Sequence, residues 1–155
     1  MIKYIYFDMD GVLSDFKKQA DKIQASSNTQ FWKKVSEIGL NFWLESEEIK
    51  GMKELVYELL ARGFEVNIIS KLPITDTANA TEGKIMWINK HFPNTFTHII
   101  LSRGNKGLFA NENSLLIDDK LSNCKDWEKY GGQSILFMNN VSDLITSILE
   151  KVGCV

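Results

Sequence analysis

Asp8 and Asp10 stand two residues apart with Gly11 directly after them, and this is where chemistry would begin. Paired carboxylates suit metal and phosphate chemistry, and a glycine lets the backbone turn sharply and come close to a ligand. A strand that merely ends in an Asp-Gly turn has the same residues, and on this stretch alone the two readings stand level. Further along, Ser70 offers a hydroxyl, and the loop Ser102-Arg103-Gly104-Asn105-Lys106-Gly107 offers two cations and two glycines. That loop lacks the spacing of a P-loop. Asp118 and Asp119 are adjacent acids that repel each other, so a metal cation or a lysine is expected beside them if they end a buried strand. Surface turns also carry such pairs. His91 and His98 show no partner pattern and read as structural.

Each of these groups has to be delivered by an element. Ile2, Tyr4, Ile5, Tyr6 and Phe7 have the composition of a strand covered on both faces, as in a parallel sheet, so the first acids fall at a strand end. Residues 14–44 are too long for a simple strand-to-helix connection and are dense in aromatics: Phe16, Phe31, Trp32, Phe42 and Trp43. Asn28 or Thr29 is expected to cap a short helix through Ile38, stopped by Gly39. These aromatics would pack the insertion onto the main body, and a lid over a strand-end site would turn at least one of them toward a ligand.

Ser46 is expected to cap a crossover helix with Glu47 and Glu48 in its first turn. Ile49, Met52, Leu55, Val56, Leu59 and Leu60 form its inner face, and Gly63 ends it. Strands are expected at 64–70, 97–101, 114–117 and 134–137. Helices are expected at 82–92, 122–130 and 142–152, the last capped by Ser142, with 74–83 a polar loop. Lys84 then falls in a first helical turn, the unfavourable end for a cation, and taken alone reads as solvated.

The chain of 155 residues, 44% hydrophobic and 25% charged, suits one domain that buries a core without disulfides. A net charge of -2 argues against a general electrostatic nucleic-acid binder. Cys124 and Cys154 form neither a disulfide framework nor a zinc motif, which favours a reducing, cytoplasmic setting. The apolar start is interrupted by Asp8 and Asp10 well short of a signal peptide or spanning helix, and the terminal Gly-Cys-Val does not match a prenylation box. A soluble protein with no membrane or nucleic-acid partner is expected.

The chemical groups share one kind of position. They follow strand one (Asp8, Asp10), strand two (Ser70), strand three (Lys106) and strand four (Asp118, Asp119). Right-handed crossovers put these ends on one edge of a parallel sheet. If the chain reverses after the third strand and lays the fourth beside the first, strand one is central and its acids lie between Ser70 and Asp118 at the topological switch point.

In order and spacing, Asp8-Met-Asp10-Gly-Val, Ser70, Lys106 and Ile117-Asp118-Asp119 resemble the four motifs of the haloacid dehalogenase (HAD) superfamily of phosphatases. The resemblance implies an α/β, Rossmann-like fold: a parallel five-stranded sheet of order 3-2-1-4-5 flanked by helices. Residues 1–155 would form a single domain, with 16–45 as a small helical cap inserted after strand one.

The stretch Asp8 to Phe16, the Phe-Trp pairs of the insertion, Lys84 with Trp87, and Leu116-Ile-Asp-Asp are most similar to the 5'(3')-deoxyribonucleotidases. This likeness implies an Mg²⁺-dependent phosphomonoesterase that hydrolyses nucleoside or deoxynucleoside monophosphates through an aspartyl-phosphate. Asp8 would be the nucleophile and Asp10 the acid and base, with Ser70, Lys84 and Lys106 on the phosphate. Phe16, Phe31, Trp32, Trp43 and Lys71 would meet the substrate, and Asp8, Asp10 (through its carbonyl), Asp118 and Asp119 the metal. Ser70-Lys71-Leu72-Pro73 departs from the family's Thr-Ser-Pro pattern, and the loop before Lys106 is longer by Gly104-Asn105. Three other readings stay open: a related phosphatase acting on another small phosphomonoester such as a sugar phosphate, a phospho-accepting receiver domain, and a non-catalytic nucleotide-binding module. Monomer and homodimer are both compatible with the sequence.

Overall fold

The computed structural model describes residues 1–153; the expectations for Cys154 and for the last two residues of the terminal Gly-Cys-Val lie outside the described residues. Strand Tyr4–Phe7 (β1) pairs in parallel with Glu65–Lys71 (β2) on one side and Ser114–Asp118 (β4) on the other. Ile99–Ser102 (β3) and Gln133–Leu136 (β5) form the edges, giving the order β3-β2-β1-β4-β5. Strand one is therefore central. Its side chains alternate between two cores, as the pleat requires. Ile5 and Phe7 join the larger core, and Tyr6 joins a smaller one with Ile69, Leu116 and Trp127.

The larger core is covered by helices Met52–Ala61 (α4), Thr77–His91 (α5) and Val141–Val152 (α7), which contribute Leu55, Val56, Trp87, Leu144 and Ile148. The opposite face is covered by Leu121–Lys129 (α6) through Trp127. Among the described residues no helix is long and apolar enough to cross a membrane.

Several expected boundaries are corrected. Ser46 does not cap a helix: α4 starts at Met52, after Gly51 in the left-handed region at φ 89°. Residues 47–49 instead pair with the loop after β1. Asp15 N donates to Glu47 O at 2.8 Å, and Ile49 N donates to Leu13 O at 2.8 Å. The Glu47 carbonyl, already accepting from a neighbouring segment, is not free to accept the N–H four residues on that a helix starting at Ser46 would bring to it.

Helix α5 begins at Thr77, five residues before the expected start. The threonines that suggested a loop fold their hydroxyls back onto carbonyls, Thr77 on Pro73 at 2.8 Å and Thr81 on Thr77 at 2.7 Å, which satisfies them within or beside a helix. Lys84 thus lies well inside α5. Asn140 rather than Ser142 caps α7, accepting from Asp143 N at 3.2 Å.

Between β1 and α4 lie three helices, Phe16–Asp21 (α1), Asn28–Ile38 (α2) and Leu40–Leu44 (α3). Ser27, one place before the expected Asn28, caps α2, and Gly39 ends it as expected. The insertion has its own core of Val35, Phe42 and Trp43, which meets the main body at Ala80 of α5. Gly83 makes this close contact possible, because a Cβ there would sit 2.5 Å from Trp43 Cβ. Gly83→Ala is expected to cost about 1–3 kcal/mol through overpacking, read as a lower urea midpoint with an unchanged m value.

Candidate active site

Every strand that was expected to deliver a chemical group ends on the same edge. Phe7 lies opposite Ile117 in register, so the next residue along brings Asp8 beside Asp118. Both carboxylates are buried. Lys106 opens the 3-10 turn Lys106–Phe109 after β3, and its Nζ lies 2.6 Å from Asp8 Oδ1 and 2.6 Å from Asp118 Oδ2. The turn can press this close because Gly107 has no Cβ to strike Asp126 and Tyr130 of the α6 region.

Burial pushes the Asp8 carboxyl up to about 7; Lys106 opposes the rise, while Asp118 and Asp10 add to it. Burial also works against the Lys106 ammonium, but the two carboxylates outweigh it and hold its pKa above the ordinary lysine value.

Asp118 is surrounded by donors. Besides Lys106, Oδ1 accepts from Lys120 N at 2.9 Å, and Asn123 Nδ2 reaches both oxygens at 3.0 Å. Asp119 turns outward against Gly11, where a Cβ would collide with its carboxylate. Asp10 accepts from Lys84 Nζ through Oδ2 and from Ser14 Oγ at 3.3 Å through Oδ1. Lys84 is buried and also donates to Ser70 Oγ at 2.8 Å and to Lys71 O at 2.9 Å. The solvated reading that the local sequence alone suggests for Lys84 does not hold, because α5 carries it inward, beneath the strand ends.

Above these groups is a cavity of about 300 Å³. Asp8, Asp10, Lys106 and Asp119 border it on the sheet side, Phe16, Trp32 and Trp43 on the side of the insertion, and Lys71 at the end of β2 with Leu72 and Pro73 just after it. The residues singled out from the sequence therefore fall into three positions. Asp8, Asp10, Lys106, Asp119, Phe16, Trp32, Trp43 and Lys71 border the cavity. Asp118, Ser70 and Lys84 lie behind that wall. Phe31 stands off it, packed edge-on against Trp32 at 5.1 Å and Phe42 at 6.2 Å between ring centroids. Lys17, Lys120 and Asn123 border the cavity without having been singled out. Asn123 had a usable signal, since it lies in the first turn of the helix that follows Asp118 and Asp119.

The residues present fit a hard divalent cation. Asp8, Asp118 and Asp119 each offer an oxygen, all within 4.8 Å of one another. Oxygen-only donors select ions of the Mg²⁺ type over softer metals. Charge agrees: Asp8, Asp10, Asp118 and Asp119 face two buried ammonium groups, Lys84 and Lys106, which leaves two negative charges when all four acids are ionised.

Comparison with known proteins gives one family and one fold. The family model described as 5' nucleotidase, deoxy (pyrimidine), cytosolic type C protein matches residues 21–150, a span that begins after Asp8 and Asp10. No curated protein matches the chain in sequence. Among solved structures, a "predicted phosphatase" from Clostridium acetobutylicum superposes with a TM-score of 0.70 at 16% identity, over 97% of this chain and 99% of that one. A haloacid dehalogenase-like family hydrolase from Xanthomonas campestris gives 0.66 at 14% identity, over 96% and 91%. The HAD-hydrolase YfnB from Bacillus subtilis, solved with magnesium, gives 0.65 at 14% identity, over 88% and 86%.

Proposed function

Because the chain belongs to the 5' nucleotidase, deoxy (pyrimidine), cytosolic type C family, and is thereby a phosphomonoester hydrolase, we propose that it hydrolyses nucleoside or deoxynucleoside monophosphates with Mg²⁺. The observation that carries the substrate class is the aromatic side of the cavity. Phe16, Trp32 and Trp43 stand across from the acids, giving a flat apolar surface for a base while the phosphate meets Asp8. A sugar phosphate offers that surface only the C–H face of its ring, a smaller apolar contact than a base makes. We assign residues 16–45 the role of a cap that supplies it, and the family description supports a cytosolic setting.

In the first step Asp8 attacks phosphorus. A carboxylate O–P bond forms as the ester P–O bond breaks, and the departing oxygen takes a proton from Asp10. In the second, water attacks the aspartyl-phosphate, gives a proton to Asp10, and the Asp8–phosphorus bond breaks to release phosphate. Lys106 fixes Asp8 through Oδ1, which leaves Oδ2 for attack. Asp8, the carbonyl of Asp10 and the outward-facing Asp119 would hold a divalent cation, with Asp118 completing the set; when bound it offsets repulsion between the acids and a dianionic phosphate.

Phosphate release in Mg²⁺ from a panel of nucleoside monophosphates and sugar phosphates tests the substrate class. The expected result is turnover of nucleotides at least about tenfold faster in kcat/KM than of any sugar phosphate, a preference within the reach of differential pocket contacts. Equal or better turnover of sugar phosphates would remove the nucleotide assignment and leave the phosphatase. EDTA in excess of the metal is expected to abolish release, and full activity in EDTA would remove the metal from the scheme.

A further inference from the structure

Lys84 is the eighth residue of α5 and has no exposed surface. A lysine ammonium has three N–H donors and no acceptor. Three oxygens surround Nζ: Asp10 Oδ2, Ser70 Oγ at 2.8 Å and Lys71 O at 2.9 Å. All belong to the protein. The Trp43 ring lies beside the same ammonium, its centroid 5.1 Å away, and Lys84 does not border the cavity. No donor remains for a phosphoryl oxygen. Lys106 differs on each count, because it donates to two carboxylates, keeps its third hydrogen, and borders the cavity.

We infer that Lys84 is a positioning residue for Asp10, and that Lys106 alone of these two buried lysines binds the phosphate. By holding Oδ2 of Asp10 from below, Lys84 leaves Oδ1 as the oxygen that exchanges a proton with the leaving group. Among the described residues the only side-chain hydrogen bond to Oδ1 is the longer one from Ser14, at 3.3 Å. The bond to Ser70 Oγ turns that hydroxyl's own hydrogen away from Lys84. Trp43 ties the arrangement to the cap, since Gly83 brings α3 and α5 together one residue before Lys84. This inference rests on the nucleotidase reading above, in which Asp10 serves the leaving oxygen.

The test compares Lys84→Met with Lys106→Met on two substrates and on inorganic phosphate. A nucleoside monophosphate needs a proton on its leaving oxygen, whereas 4-nitrophenyl phosphate leaves without one. Lys84→Met is expected to lower kcat/KM, which reports events up to departure of the leaving group and not the later hydrolysis of the aspartyl-phosphate, about 100-fold on the nucleotide and less than about fivefold on 4-nitrophenyl phosphate, the selectivity of a misplaced general acid. Its Kd for inorganic phosphate, measured by calorimetry in Mg²⁺, should stay within about threefold, while Lys106→Met weakens phosphate by more than about tenfold.

Lys84→Gln keeps hydrogen-bond donors to Asp10 and Ser70 without the charge. It should recover at least about a tenth of the wild-type nucleotide rate, which neither a collapsed fold nor a lost phosphate charge would allow. Equal losses of Lys84→Met on both substrates together with weakened phosphate binding would overturn the inference. If the wild-type protein turns over neither substrate, the nucleotidase reading fails, and the phosphate affinities of the two variants still decide which lysine binds phosphate.

Discussion

Asp8→Asn will lower kcat on a nucleoside monophosphate by at least about 10⁴-fold, because an amide oxygen cannot form the covalent intermediate and no second carboxylate is placed to replace it. Asp10 is held from beneath by Lys84, and Asp118 is engaged by Lys106, Lys120 and Asn123. The substitution keeps the shape of the side chain, and the new amide oxygen can still accept from Lys106, so the fold should survive. In the metal-free protein it should even become more stable at neutral pH. The Asp8 carboxyl is raised from 3.8 to about 7, so its contribution to stability is complete below the lower value and is lost as pH rises through the upper one. The stability difference between Asp8→Asn and wild type should therefore grow from pH 5 to pH 8, on the order of a few kcal/mol in EDTA. Urea titrations at those pH values measure it, and a pH-independent difference would contradict the assigned environment of Asp8.

The second large effect belongs to Lys106→Met. This variant leaves Asp8 and Asp118 buried side by side without their shared cation. Removing one partner of a buried ionic group commonly costs about 3–5 kcal/mol, and here one ammonium serves two carboxylates. The metal-free variant is expected to be near unfolding at pH 8 and clearly more stable at pH 5, where protonation removes the uncompensated charge. At pH 8, adding Asp8→Asn to Lys106→Met should recover more stability than the same substitution adds to the wild type, since it then neutralises a carboxylate that has lost its ammonium partner. Thermal or urea unfolding of the single and double variants in EDTA checks this. A double variant as unstable as the sum of its parts would mean that the two groups do not interact as their 2.6 Å contact indicates.

The sheet and its order could be read because β1 carries a local signal, an unbroken run of β-branched and aromatic residues ending in acid, and because chemical groups recur at each strand end. The misplaced elements failed for want of local information. Ser46-Glu47-Glu48 has the composition of a helix start, yet residues 47–49 pair with a segment more than thirty positions earlier. Glu48 accepts from Lys53 at 2.6 Å and faces His91 Nδ1 at 2.6 Å, instead of facing a helix terminus. Lys84 could not be placed from its neighbours, since its oxygen partners come from the ends of β1 and β2, and its burial depends on a helix that starts five residues earlier than its threonines suggest. Phe31 and Trp32 are adjacent in sequence, but only the helix phase of α2 decides that Trp32 meets the cavity while Phe31 packs against Phe42.

Acid quenching within a single turnover separates a covalent aspartyl-phosphate from direct attack by water. Enzyme in Mg²⁺ is mixed with a nucleoside monophosphate labelled at phosphorus, stopped within milliseconds, and digested. The expected result is a hydroxylamine-sensitive phosphoryl label on the peptide containing Asp8, formed before free phosphate and absent from Asp8→Asn. Label passing directly to free phosphate, with no protein-bound species while substrate is consumed, would contradict it.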